Sequence, residues 1–395
     1  VIPSQRSSEL FASIRETDKS HFFKLQGKRR SEKEYLAYDT TSISSYSQCL
    51  SQVTYGVNKD HDKLPQINLA LLYGQTSNLP LYYRKLAGNI TDVKSVKALL
   101  VDLDYLGYSN IKLVMDRGFY SSENINALYA NHLKFLVATK VSLNFVKKEV
   151  QEVHSSMRNW ENYNSNYDLY VMSKMIKWEF SLTRPYKGDT IQENRRMYLH
   201  IYFDAEKKVE SERDFHGLLG KLENELLSNK LNKEHEKLYN KYFEVKRTPK
   251  RGITVTPKNE AIAAASDYHG YFVLLSNEVK DPIDSLSLYR NKDVVEKAFG
   301  NLKDRLSLRR TGVSSDASLD GKLFVQFVAL IYLSYVKKMM HDASLFKDYT
   351  LQGLLDELDV IECYKYPGQS LRVGEITKKQ VDLFNALQIT PPSLQ

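Results

Sequence analysis

The sequence predicts an α/β fold built on a mixed five-stranded sheet flanked by helices. Three observations predict it. Three strand-like segments follow one another through short links. A helix–strand–helix–strand run comes next. A further strand and two long helices return after a break of irregular, highly charged chain.

Residues 1–34 read as a polar lead-in, helical over Ser8–Thr17 and ending in the basic patch GKRRSEK. YLAYDTTSISSYS then alternates and is rich in β-branched and aromatic residues, which marks a strand. INLALLYG is a second strand and LPLYYRKLAG a third, and their short links favour antiparallel pairing. Val96, Leu99, Leu100 and Leu103 fall on helical spacing within a helix over Asp92–Leu106, which Gly107 ends. IKLVMDRG is a short fourth strand, Ser121 caps the next helix, and KFLVATKV is the fifth strand. These elements make residues 35–143 the first part of an α/β core.

Residues 144–265 read as an inserted α+β domain. It holds a strand at RRMYLHIYFD, charged helices within Ala205–Phe243 and the basic loop KRTPKRG. GYFVLLSN returns to the sheet pattern. One long helix over Pro282–Leu306 and a buried helix over Gly321–His341 complete the core at residues 266–345. Residues 346–395 form a helical tail, with segments near Leu351–Glu362 and Thr377–Leu387.

The chain has 395 residues, a formal charge of +8 and a pI near 9.0. That balance favours a polyanionic partner. Cys49 and Cys363 make no CxxC pair or disulfide framework, which suits a reducing compartment. The histidines show no zinc-ligand spacing. The longest apolar run, Leu323–Val336, is too short to span a bilayer and reads as a buried helix. No membrane or small-molecule partner is expected.

The sharpest local signal surrounds Glu296. On an uninterrupted helix at about 100° per residue, Tyr289, Lys292, Glu296 and Lys303 fall within about 60° of one another. They border the apolar stripe of Leu288, Val295, Phe299, Leu302 and Leu306. Lysines and a tyrosine there can hold phosphates while the carboxylate holds a metal. A plain salt-bridged amphipathic helix gives the same spacing. Asp39 lies within or at the end of the first strand, and Asp116 at the carboxyl end of the fourth, where α/β folds place chemistry. Three unpaired acids repel one another unless divalent cations relieve them. Mg²⁺ takes carboxylates, water and phosphate oxygens, and two such ions can activate a nucleophile and stabilise the leaving oxygen.

Four blocks resemble the insertion-sequence DDE transposases of the YREK-signature subgroup, which have a ribonuclease H-like core. They are YDTTS, the GVNKDHDKLPQ…GNITD stretch, VMDRGFYS, and LYRNKDVVEKAFGNLKDRL, which fits Y-x2-R-x3-E-x6-K. The resemblance runs from about residue 36 to about residue 340, with a break over the insertion. Lys292 stands at the arginine position, keeping the charge without the bidentate fork. No tryptophan lies between Trp178 and Glu296, where some members hold a flipped base; Tyr268 or Tyr271 could substitute, or pack in a strand. The family's usual N-terminal sequence-reading part is expected to be absent or very short.

The resemblance implies an enzyme that cuts and joins DNA. Asp39, Asp116 and Glu296 would be the catalytic acids, holding two Mg²⁺ or Mn²⁺ ions. Tyr289, Lys292, Lys303 and Arg117 would contact DNA, although Arg117 could equally form a structural ion pair. Asn89 and Asp92 read first as turn and helix-start residues. His61, Asp62, Arg195 and Arg196 read first as solvated surface. The resemblance further implies element ends and target DNA as partners, a homodimer on paired ends, and a bacterial cytoplasmic, nucleoid-associated location. The alternatives are a ribonuclease H-like nuclease that does not join strands and a catalytically silent DNA-binding derivative.

Overall fold

A computed structural model describes residues 4–29, 34–108, 110–183, 188–248, 252–368, 370 and 372–392. The helices are α1 (Ser4–Ser13), α2 (Glu16–Arg29), α3 (Asp92–Leu106), α4 (Ser122–Ala130), α5 (Asn144–Val153), α6 (Ala205–Leu227), α7 (Glu236–Tyr242), α8 (Asn259–Ser266), α9 (Pro282–Arg290), α10 (Asp293–Gly300), α11 (Asp316–Asp342), α12 (Leu351–Asp359) and α13 (Lys378–Ala386). The strands are β1 (Tyr35–Ser44), β2 (Gln66–Gly74), β3 (Pro80–Ala87), β4 (Lys112–Met115), β5 (Lys134–Thr139), β6 (Tyr163–Asn164), β7 (Leu169–Thr183), β8 (Thr190–Phe203), β9 (Phe243–Thr248), β10 (Gly252–Pro257), β11 (Tyr271–Ser276), β12 (Cys363–Tyr364) and β13 (Arg372–Val373). Two compact units divide the chain. One holds the chain up to Met115, residues 130–133 and the chain from Arg290; the other holds residues 116–129 and 134–289.

In the first unit β1 pairs antiparallel with β2, and β2 with β3, while β1 and β4 run parallel. Side chains alternate across a strand, so Ala37, Asp39, Thr41 and Ile43 share one face. Tyr73, Leu71, Leu69 and Ile67 lie opposite them on β2. Val295, Ala298 and Phe299 of α10 and Leu319, Leu323, Phe327 and Leu330 of α11 join this face in one core. Tyr38 and Thr40 point the other way, where Tyr38 Oη donates to Ser95 O at 3.4 Å and Thr40 Oγ1 to Asp92, both on α3. Every residue of β2 is buried, Gln66 and Asn68 included. The expected helix over Asp92–Leu106 is α3, and Gly107 ends it in the left-handed conformation, φ 72°.

α11 is the one helix among the described residues long and apolar enough to cross a membrane. Its Leu319, Leu323, Phe327 and Leu330 line the core instead. Gly321 lets α1 lie against it, because a Cβ there would stand 1.9 Å from Phe11 O.

Two expectations are corrected. The lead-in forms two helices, α1 and α2, rather than one; residues 30–33 of the basic patch lie outside the described residues. The single helix over Pro282–Leu306 is broken. α9 ends at Arg290, a turn carries Asn291 and Lys292, α10 runs from Asp293, and Asn301–Arg305 form a π-helical segment. Each break changes the angle per residue, so the four-residue stripe drawn on one uniform helix does not persist.

The second unit holds five strands in the order β5, β11, β8, β7, β6, antiparallel throughout. The strand expected at RRMYLHIYFD is the inner part of β8. Its partner β7 was not foreseen, because Ser173, Lys174, Lys177 and Glu179 interrupt its apolar signal. The charged segment forms α6 and α7, packed through Leu222, Leu226, Tyr239, Tyr242 and Phe243. β9 and β10 pair as a hairpin, and residues 249–251 of the basic loop lie outside the described residues.

His200 is fully buried on β8. Its Nδ1 stands 2.9 Å from Ser173 Oγ and its Nε2 3.1 Å from Val279 O. A carbonyl only accepts, so Nε2 carries the proton and Nδ1 accepts from the hydroxyl. Burial pushes this imidazole down to about 4. Below its ordinary pKa near 6.5, the unfolded chain takes up a proton that the folded chain refuses until about 4. Stability should therefore fall through that window, by about 3 kcal/mol for this group. Melting curves of wild type and His200→Gln between pH 7 and 4.5 check this: the variant should lose less stability, and parallel losses would rule the account out.

Candidate active site

Asp39 sits in the middle of β1, where β4 stops. The parallel register ends at Tyr38 opposite Met115, and an aspartate follows each of those residues, Asp39 in one chain segment and Asp116 in the other. Beyond that point β1 continues to Ser44 beside the Asn58–Asp62 loop. Lys59 Nζ donates to Thr40 O at 2.8 Å, Lys59 N to Ser42 Oγ at 3.1 Å and Asn58 Nδ2 to Ser44 Oγ at 3.1 Å.

The Asp39 side chain is 17% exposed. Its Oδ1 accepts from Thr40 N at 2.7 Å and from Lys59 Nζ at 3.4 Å. Burial pushes its carboxyl above the ordinary range, although Lys59, the Thr40 N–H and Lys292 pull it down; Asp92 adds to the rise. Lys59 Nζ also lies 3.2 Å from Asp92 Oδ2, so one ammonium is shared by two carboxylates.

Glu296 lies one residue beyond the buried Val295 on α10, and α10 packs on β1 and β2. Its carboxylate is 53% exposed and accepts from Lys292 Nζ at 2.6 Å, one turn earlier. Lys292 precedes the first turn of α10, so this pair survives the break in the helix. Lys303 does not stay with them. The π-helical segment turns it inward, where it is 9% exposed and donates to both Asp60 oxygens, at 2.8 and 2.6 Å.

Asp116 belongs to the second unit. It caps a short 3-10 helix, with Oδ1 accepting from Arg117 N at 2.7 Å and from Tyr289 Oη at 2.6 Å. The Arg117 side chain is exposed and carries no ion pair among the described residues.

Asp92 is the first residue of α3, as its helix-start reading has it, and it also binds Thr40 and Lys59. The turn at Gly88 and Asn89 is a close backbone approach: a Cβ on Gly56 would stand 1.9 Å from Gly88 O. His61 adopts φ 56° in an exposed loop, and Asp62 pairs with Arg310 at 2.7 Å. Arg195 pairs with Glu193, and Arg196 lies over the Tyr198 ring. Tyr271 packs against Phe203, and Lys147 lies over the Tyr268 ring. Sequence reasoning missed Lys59. The signal for it was the alternation of charge in NKDHD beside the first strand.

Carboxylate oxygens are the hard donors that Mg²⁺ or Mn²⁺ takes, so the chemistry of the three acids fits such an ion. Among the described residues no three His, Cys, Asp or Glu side chains stand grouped as a ready cation site.

A family model described as the transposase DDE domain matches residues 30–332, most of the chain. The chain belongs to the DDE transposase family. No curated protein matches this transposase sequence. Among solved structures it is similar to a piggyBac transposase synaptic complex with hairpin DNA, at 12% identity and a TM-score of 0.40. That match covers 85% of this chain and 59% of the other.

Proposed function

We propose that this chain is a divalent-metal-dependent DNA transposase of the insertion-sequence, YREK-signature kind with a ribonuclease H-like core. It cleaves at the ends of a mobile element and joins the freed 3′-hydroxyl to target DNA, acting as two copies on paired ends. Asp39, Asp116 and Glu296 are its acids. The observation that carries this reading is the β1–β4 register, which ends one residue before each aspartate, with the Glu296 helix packed on β1.

Each acid is steadied by a donor. Lys59 and the Thr40 N–H hold Asp39 Oδ1, Lys292 holds Glu296 Oε1, and Tyr289 holds Asp116 Oδ1. Bound Mg²⁺ or Mn²⁺ would activate the attacking water or 3′-hydroxyl and offset charge on the leaving oxygen. Positioning and charge neutralisation then carry most of a phosphoryl transfer. Arg117, Lys292 and Tyr289 grip backbone phosphates. Lys303 joins them when a phosphate takes the place of Asp60. Lys303→Ala should therefore weaken DNA binding and reduce the salt slope of log K by about 1. Anisotropy titrations across a salt series measure that slope, and an unchanged one removes Lys303 from the DNA contacts.

The whole reading is tested with a donor plasmid carrying the element ends and a supercoiled target. Transposition predicts Mg²⁺-dependent nicks and joined donor–target molecules. Nicks without joined products would mean a nuclease, and binding without nicks a silent DNA-binding derivative.

A further inference from the structure

α10 presents a second face, part apolar and part polar, to a cleft. At about 100° per residue, Val294, Lys297, Ala298 and Asn301 share one side of the helix, and Glu296 points to the opposite side. That far side borders a cleft of about 730 Å³ within the first unit. Across the cleft stand Lys337, Lys338 and His341 at the end of α11, and Arg305 closes one flank from the π-helical segment.

The charges in this cleft are poorly balanced. Lys297 is paired with Asp293 at 2.6 Å. His341 has only Asp342, at 3.6 Å. Arg305, Lys337 and Lys338 have no carboxylate partner among the described residues; the Lys337 ammonium donates to the neutral Asn301 Oδ1 at 2.7 Å. Burial, and secondarily the Arg305 charge, hold Lys337 below the usual lysine range. The last turn of a helix does attract cations. That accounts for His341 on α11 but not for Lys337 and Lys338, which stand before its last turn, nor for Arg305, which comes from another element and adds to the repulsion.

We propose that this cleft binds the phosphate backbone of a DNA segment other than the one being cut, on the side of α10 away from Glu296. Unpaired cations gathered from two elements fit a row of phosphates better than a single anion. Lys337 to His341 spans about 6 Å along its helix axis, enough to meet more than one backbone charge. Exposed Phe346 on the rim offers a ring to the sugar or base edge. The inference rests on the DNA-transposase reading, and it adds that the two sides of α10 hold different stretches of DNA.

The test uses the full chain, a labelled duplex carrying the nick position and a flank of a further turn or two. Lys337→Gln/Lys338→Gln should lower the salt slope of log K by about 2, and adding Arg305→Gln by about 3. Hydroxyl-radical footprints should lose protection away from the nick and keep it at the nick. Melting temperatures of the variants should match wild type; if the triple variant unfolds, the double variant carries the test. An unchanged salt slope overturns the proposal, as does loss of protection confined to the nick. Restored binding by an acidic peptide instead of DNA would reassign the cleft to a protein partner and also overturn it. If the wild-type chain binds no DNA, the transposase reading falls and this inference with it.

Discussion

Asp39→Asn, Asp116→Asn and Glu296→Gln should each reduce Mg²⁺-dependent DNA cleavage by about a hundredfold or more, with DNA binding retained. Losing a group that merely supports a metal ligand costs about 10–100-fold, and losing a ligand itself costs more. Each change removes one charge and keeps the side-chain shape. Single-turnover cleavage and anisotropy on the same preparations decide the matter, and any one variant that cleaves at the wild-type rate removes its residue from the site. Asp39→Asn carries a second expectation. Burial raises the Asp39 carboxyl, so the folded chain holds that proton more readily than the unfolded chain. The ionised group therefore costs stability at neutral pH, and the cost fades as pH falls through the raised value. The variant should melt higher than wild type at pH 7 and gain less in acid. A lower melting temperature at pH 7 would contradict the burial argument.

Phe299→Ala should cost about 3–5 kcal/mol and lower the melting temperature by about 10 °C. Phe299 is 6% exposed in the core that holds α10 to the sheet, among Ala37, Leu69 and Leu71. The ring anchors the helix that carries Glu296, so cleavage should fall by more than the unfolded fraction explains. Rates measured well below the melting temperature separate the two effects. Wild-type cleavage from a destabilised but folded variant would show that Glu296 does not depend on this packing.

Much of the first unit was legible because its signals are local. β-branched and aromatic alternation marked β1, short links to its neighbours marked the antiparallel pairing of β1, β2 and β3, and spacing with a terminal glycine marked α3. The fate of the Pro282–Leu306 segment was not legible. Its apolar residues fit one uniform helix, and no proline or glycine announces the turn at Asn291–Lys292. Val295, Ala298 and Phe299 of α10 pack into the core with Leu69 and Leu71 of β2, a long-range contact that the spacing does not reveal. β7 escaped notice for a different reason. Alternate residues along much of it face solvent, and several of those facing the other way are only half-buried, so its apolar signal is weak although it pairs with the next strand in the chain.

The same division applies to the site. Sequence by itself determined which acids to consider, because Asp39 and Asp116 sit in short distinctive blocks and Glu296 in a spaced signature. It also determined the Lys292–Glu296 pair, since an i,i+4 contact needs only one turn of helix. Tertiary structure decided the partners that come from far along the chain. Lys59 is twenty residues from Asp39 yet its ammonium is shared by Asp39 and Asp92, and Asp60 holds Lys303 across 243 residues. Such pairings depend on how strands and helices pack, because loop closure brings together charges that spacing cannot relate.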